Sequence, residues 1–387
     1  MHLITDIDTV AKKVFFQDQT RDTYSTSTHT ITLRAFRPNF FSVKNIEIDM
    51  PAPTSFTATV GIQIGQCFEP ILENIRVKGV TNWGLCTVRC WRPLYKNISA
   101  YGLGRPDQNG YGISVKGCLG ARVDGLKTWG CRRGIDMHGL QGNAGCVSRD
   151  WIVEDFDIHG GGIYYPDTDV VNESYGLGMH GPTENGVFRN GIITDVSYGV
   201  NVRTRNLTIE NVTFAGTMLA CVSGSFGTGM AIRDCKVDRG DYPNKLSSWA
   251  DAASGSGVQD FLRLGVSTGS PEAAWLYDLP LIVEGVDVQG LTRSLIHWFN
   301  DATVRNLRVS DISGQVTPGA AGTFTVYMGA SPAVDVHIAE SLISEEVDLW
   351  AIDGGSIALY SSPVIPGYRV GNPDRASRVG DKDRVAT

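Results

Sequence analysis

Apolar residues recur at every second position over short runs along most of this chain, and each run is closed by Gly, Asn or Asp. Two phrases account for the runs. The first reads GIQIGQC from Gly61, GLCTVRC from Gly84, GISVKGC from Gly112, GIDMHGL from Gly134, GLGMHGP from Gly176 and GVNVRTR from Gly199. The second has the form apolar-x-Asn/Asp/Gly-apolar-x-apolar: VKNIEI at Val43, LENIRV at Leu72, YKNISA at Tyr95, VDGLKT at Val123, VEDFDI at Val153 and FRNGII at Phe188. Later copies are IENVTF at Ile209, IRDCKV at Ile232, VEGVDV at Val283 and VRNLRV at Val304. The two phrases alternate strictly from Val43 to about Asn211, so each repeat supplies at least two strands and then advances one step. That is the pattern of a solenoid of parallel strands. Helical solenoids need longer elements of 3.6-residue period, whereas these are short, of period two, and strongly punctuated. The chain is therefore expected to be all-β, a right-handed single-stranded parallel β-helix.

Equivalent positions hold like residues from repeat to repeat. Cys67, Cys90 and Cys118 stand six places after the starting glycine, and Trp83, Tyr111, Tyr175 and Tyr198 stand just before it, with Arg133 as the exception. In a parallel stack such residues lie roughly 4.7–4.9 Å apart, so both columns are expected to be stacked ladders. Cysteines in register are expected to be packed free thiols, and the absence of a CxxC pair speaks against disulfides and zinc.

Composition fits one elongated domain. Glycine is frequent, 45 of 387 residues, and charged residues are only 19%. No apolar run approaches the roughly 20 residues that a membrane span needs, so no membrane insertion is expected. The formal charge of −7 argues against a general affinity for nucleic acid, while leaving room for a local cationic stripe. The expected organisation is an N-terminal cap or first coil over residues 1–42, the β-helix over 43–345, and a C-terminal cap with a polar tail over 346–387. Loop insertions are expected near 140–150, 161–175 and 240–260. The N-terminus lacks the basic-then-apolar order of a secretory signal.

Chemistry is expected on the outward side of the first-type strands. Successive coils present Gly65, Val88, Lys116, His138, His180 and Arg203 at one outward position, joined by Asp136 and Asn201 from the other. On a strand the residues between two inward ones point out, so this row is expected to be exposed. Two histidines one strand spacing apart resist double protonation, and at least one should be neutral near pH 7. The longest step between first-type phrases, from Gly134 to Gly176, places extra residues beside the histidine-bearing strands, including Tyr164, Tyr165, Asp167, Asp169, Asn172 and Glu173. Long loops bordering a groove commonly carry binding residues, and tyrosines beside carboxylates suit a sugar.

Glycoside hydrolysis needs two carboxyl groups flanking the bond, roughly 5–5.5 Å apart for retention and about 6.5–9.5 Å apart for inversion. Asp136 with Glu184 is the first candidate pair, with His138 and His180 beside it as catalytic candidates. Lys116, Asn201, Arg203, Tyr164, Tyr165, Asp157, Asp169 and Glu173 are candidates for substrate binding. Asp155 falls in the Asn/Asp/Gly turn column and is read as structural. A competing chemistry is β-elimination on a uronic acid, which needs a base and cations near the developing enolate; Lys116, His138, His180 and Arg203 would suit it. A Ser/His/Asp esterase built on Ser114 lacks a GxSxG elbow. No metal site and no cofactor are expected.

The phrases LENIRV, YGISVKG, RRGIDMHG, YGLGMHG and IENVTF make the chain resemble the pectate-lyase-like parallel β-helix superfamily, and within it bacteriophage tailspikes and capsule depolymerases. The NTD, DD, GHG and RxK series of the polygalacturonases is not matched; the nearest strings are MHG at Met137 and Met179 and IHG at Ile158. The resemblance implies a side-by-side homotrimer on a virion tail or otherwise extracellular, joined to the phage particle through a region not visible in this chain. It implies binding and cleavage of bacterial surface polysaccharide, whether capsule, exopolysaccharide or O-antigen, by glycoside hydrolysis. A polysaccharide lyase and a non-catalytic receptor-binding spike or adhesin are the alternatives.

Overall fold

The computed structural model describes residues 4–8, 13–16, 39–50, 59–102, 110–139, 147–160, 174–180, 183–217 and 220–238, residue 10, and a series of further strands between 260 and 370. One hairpin, Ile4–Asp8 paired antiparallel with Lys13–Phe16, stands apart from the large sheet. Every other strand pairs in parallel with its equivalents in the coils before and after it. The first-type phrases form Val60–Gly65, Trp83–Val88, Tyr111–Lys116, Arg133–His138 and Tyr175–His180, and the next is the start of the long strand Tyr198–Ala215. The second-type phrases form Ser42–Asp49, Ile71–Lys78, Leu94–Tyr101, Arg122–Trp129, Ser148–His159 and Thr183–Thr194. The expected parallel β-helix is the fold observed. Strands Val347–Trp350, Ile357–Tyr360 and Tyr368–Val370 continue the same pairing, so the winding runs past residue 345. The expected loop insertions fall largely outside the described residues.

The second-type strands share one bend, and the longer ones carry a further positive-φ position nearer their start, at Asp150, Asn185 and Asn206. The pivots of the shared bend are Asn45, Asn74, Asn97, Gly125, Asp155, Asn190 and Asn211, all at positive φ. Asn and Asp tolerate the left-handed region better than other side-chain-bearing residues, which explains the turn column in the sequence and the structural role expected of Asp155. The bend splits each second-type strand into two walls, so a coil has three. Side-chain amides then form a ladder along the corner: Asn74 Nδ2 donates to Asn45 Oδ1 at 2.9 Å, Asn97 Nδ2 to Asn74 Oδ1 at 3.1 Å and Asn211 Nδ2 to Asn190 Oδ1 at 3.1 Å.

The interior is a set of apolar ladders. Leu85, Ile113, Ile135, Leu177 and Val200 form one column; Tyr95, Val123, Val153, Phe188 and Ile209 form another, all fully buried. Each such side chain contributes roughly 1.5–3 kcal/mol relative to exposure. Tyr95 satisfies its buried hydroxyl by donating to Thr87 Oγ1 at 2.7 Å. Cys90 and Cys118 stack inside as expected, with the Cys90 amide donating to Cys118 Sγ at 3.3 Å, and the seven described cysteines are free thiols. Gly begins the first phrase because successive coils approach there: a Cβ on Gly112 would stand 2.6 Å from the Gly134 carbonyl oxygen.

Candidate active site

Parallel register turns sequence offset into proximity. Asp136 lies directly across from Ser114 in the preceding coil and Gly178 in the following one, and His138 lies across from Lys116 and His180. The Trp/Tyr column is also in register: Trp83 opposite Tyr111, Tyr111 opposite Arg133, Arg133 opposite Tyr175, and Tyr175 opposite Tyr198. Tyr175 and Tyr198 stack with ring centroids 5.3 Å apart.

Arg133 departs from that column in chemistry but not in packing. Its guanidinium carbon sits 5.0 Å from the Tyr111 ring centroid and 4.9 Å from that of Tyr175, a cation held between two π faces. From there Nη1 donates to Asp136 Oδ1 at 2.7 Å. The space it crosses is left open by Gly178, where a Cβ would fall 2.6 Å from Arg133 Cδ.

Asp136 is fully buried, which corrects the exposed position expected for the outward row. The alternation of facing holds, but Arg133 and its flanking tyrosines fold down over the row; Ser114 and Cys86 are buried there as well. Burial pushes the Asp136 carboxyl up, but the hydrogen bond from His180 and the charge of Arg133 overcome this and hold it at about 2. Ser114 Oγ donates to the other oxygen, Oδ2, at 3.2 Å. Asp136 is thus an ionised, fully bonded carboxylate.

His180 Nδ1 lies 2.8 Å from Asp136 Oδ1 and 2.7 Å from Arg133 Nη1. With its proton, Nδ1 donates to Asp136 and leaves Nε2 a free lone pair. Without it, Nδ1 accepts from Arg133 and the proton sits on Nε2. Each tautomer has a partner, so His180 can take or give a proton at Nε2.

His138 is pushed down to about 4 by burial, with the Asp136 charge opposing and His180, Lys116 and Arg133 reinforcing. It is neutral near pH 7, as expected for one of the pair. Its ring centroid is 5.4 Å from that of His180, and its Nδ1 is buried with no hydrogen-bond partner among the described residues. Lys116 Nζ lies 3.3 Å from the centroid of the Trp83 ring, and burial lowers its pKa.

Of the other candidates, Arg203 is one coil further on, its backbone N–H facing Met179 Sδ at 3.3 Å, and Asn201 holds a buried Oδ1 that has no hydrogen-bond partner among the described residues. Glu184 is not brought to Asp136. It lies six residues beyond Gly178, on the next wall, where it pairs with Arg149 at 3.1 Å. Asp157 is on a different wall, across from Lys127 and Ile192. Tyr164, Tyr165, Asp169 and Glu173 lie outside the described residues, as do Asp167 and Asn172. Arg133 is the side chain contacting Asp136 and His180 that the pattern of charges missed. Its signal was the break it makes in an otherwise aromatic column.

Among solved structures the chain resembles phage tailspikes. Similar ones include the tailspike protein gp49 from Pseudomonas phage LKA1 (15% identity, TM-score 0.49, covering 82% of this chain and 52% of that one). Another is the tailspike gp61 of Pseudomonas phage phi297 (14% identity, TM-score 0.42, covering 82% and 44%). A third is PfbA, a surface adhesin of Streptococcus pneumoniae (11% identity, TM-score 0.44, covering 78% and 73%). The chain spans about half the length of the two tailspikes. No protein-family model and no curated protein matches it. At these identities the likeness is one of winding, not of side chains.

Proposed function

We propose that this chain binds and depolymerises an acidic polysaccharide of the bacterial surface, cleaving it by β-elimination at a uronic-acid unit. The observation that carries the reading is the state of Asp136. A carboxylate held at about 2, fully buried and bonded to Arg133, Ser114 and His180, cannot serve as the protonated acid that hydrolysis requires. It is suited instead to orient His180 and to stabilise its imidazolium.

His180 Nε2 takes the proton α to the uronate carboxylate. The electron pair moves into a new C=C bond, the bond to the glycosidic oxygen breaks, and the departing oxygen is protonated from solvent. Lys116 and Arg203 supply positive charge near the substrate carboxylate and the enolate it becomes. Asp136 and Arg133 offset one another, which leaves the row cationic and fitted to an anionic chain. Hydrolysis by Asp136 with Glu184 is less well supported, because Glu184 is engaged by Arg149 on another wall. The sequence resemblance supports placing the chain on a virion as a side-by-side homotrimer, which sedimentation of the purified protein tests.

The decisive experiment incubates the protein with purified capsular and lipopolysaccharide preparations and follows reducing ends and ultraviolet absorbance together. Elimination raises both signals, and His180→Ala abolishes both. Reducing ends without absorbance would replace elimination by hydrolysis. Neither signal, with binding retained, would make the chain a receptor-binding spike.

A further inference from the structure

The wall that follows the Asn corner carries a second surface, remote from His180 in the winding. Its first outward row reads Glu47, Arg76, Ser99, Lys127, Asp157, Ile192 and Thr213 in register. A groove of about 690 Å³ runs beside this row and the Asn ladder, from the coil of Asn97 to that of Asn211. Five coils at about 4.8 Å per step make it roughly 19 Å long, enough for several consecutive sugar units.

Three features point to a ligand. The opposite charges at the start of the wall close on each other, Arg76 with Glu47 at 3.2 Å and Lys78 with Asp49 at 3.5 Å. Lys127 and Asp157 are also cross-strand neighbours and line the groove, yet among the described residues they form no ion pair. One open donor and one open acceptor side by side match vicinal hydroxyls, which give to the carboxylate and accept from the ammonium. Next to Lys127 on the same side, Trp129 is 53% exposed and is held in place by stacking on His159, centroids 3.6 Å apart and 12° from parallel. That ring is braced in turn by His159 Nε2 against Asp195 Oδ2 at 3.0 Å. A braced, exposed indole beside hydroxyl-binding groups is an amphipathic surface of the kind that a sugar ring covers.

We propose that this groove is a second carbohydrate site, one that takes a neutral oligosaccharide strand. Its charges are one cation, Lys127, against two carboxylates, Asp155 and Asp157, with side-chain amides and Thr213 around them; this disfavours an anionic chain and distinguishes the groove from the cationic row at His180. The proposal does not depend on elimination chemistry. A polymer with alternating neutral and acidic stretches would engage both surfaces at once and gain avidity.

The test titrates the intact chain with cello-, malto-, manno- and xylohexaose, and with hexagalacturonate as the acidic control, by calorimetry and tryptophan fluorescence. At least one neutral hexasaccharide is expected to bind once per chain. Trp129→Ala should weaken it about tenfold, Lys127→Ala and Asp157→Asn severalfold each, and His180→Ala should leave it unchanged. The proposal is overturned if no neutral hexasaccharide binds, or if binding survives Trp129→Ala with Lys127→Ala. It is also overturned if Trp129→Ala changes the sedimentation coefficient, which would make the wall an interface between copies of this chain. Failure of cleavage on the capsule panel touches only the elimination reading, because binding here is read with uncleaved hexasaccharides.

Discussion

Two opposite-charge contacts, one between neighbouring coils and one within a single strand, differ in everything that decides their energetics. On the wall after the Asn corner, Arg76 and Glu47 meet at 3.2 Å with more than half of each side chain in water. On the first wall, Arg133 and Asp136 meet at 2.7 Å with almost none. Both pairs stand within ion-pair distance, so separation is not what sets them apart. The cause is what lies on top: two tyrosines enclose Arg133, whereas among the described residues Arg76 has the single ring of Tyr101 at 5.3 Å. Burial converts a charge pair from a surface ornament into a committed element of structure, because neither partner can then be removed without stranding the other.

The largest expected effect follows. Asp136→Ala leaves a buried guanidinium without its counter-charge and should cost about 3–5 kcal/mol, read as a lower denaturant midpoint. Asp136→Asn keeps the shape and one acceptor, so it should cost less stability while still removing turnover. Equal losses from both would mean that charge is not what the buried site depends on. In a chain that still folds, His180→Ala should lower the rate by roughly 10²–10⁴-fold, the usual worth of a positioned base.

Next in size is pH. His138 titrates at about 4 in the fold and near 6.5 when unfolded. Between those values the unfolded chain binds the proton and the folded chain does not. The stability it provides is therefore complete above pH 6.5 and lost as the pH falls toward 4, by about 3 kcal/mol at most, discounted because His138 is not fully enclosed. Asp136, whose folded value is depressed, adds a further loss below its unfolded value near 4, continuing through about 2. Equilibrium unfolding of the wild type and of His138→Asn across pH 4–8 checks this; parallel curves would refute it.

Gly178→Ala probes the same wall by volume alone. Its Cβ would fall 2.6 Å from Arg133 Cδ, and Arg133 is pinned by two rings and a carboxylate. A cost of about 1–3 kcal/mol is expected, together with lost turnover as His180 loses its donor.

These contrasts also show how much the sequence discloses. Winding was legible because period-two runs and αL punctuation are local properties, and register followed from the repeats. Register in turn put Lys116, Asp136, His138 and His180 on one wall, since in a parallel stack equal offset means contact. Burial of that row was not legible, because it depends on side chains folding over from another column. The exception at Arg133 was visible as a break, but its reach to Asp136 requires the opening at Gly178, three columns and one coil away. Glu184 was paired with Asp136 by membership of neighbouring coils, but it stands on a second-type strand, across from Arg149, and not on the strand of His180.

A smaller effect tests the corner at which the wall of Glu47 and Arg76 begins. Asn74 sits at φ 54 and both donates to Asn45 and accepts from Asn97. Asn74→Ala should cost about 1–3 kcal/mol, from the left-handed backbone together with two exposed amide contacts. Asn74→Gly should recover about half by relieving the backbone alone.

The smallest effect is the sharpest test of the comparison. A double-mutant cycle on Glu47 and Arg76 should give a coupling of about 0–1 kcal/mol, because both groups keep most of their hydration and spend side-chain entropy to meet. Raising the salt should abolish it, since an exposed pair is screened over a Debye length of roughly 3 Å at 1 M. The Arg133–Asp136 cycle should be larger and hardly respond to salt, since counter-ions cannot enter the space that the tyrosines fill. A salt-insensitive coupling at Glu47–Arg76 would mean that register alone confers strength on charge pairs in this winding, and the role given to the aromatic column would fall.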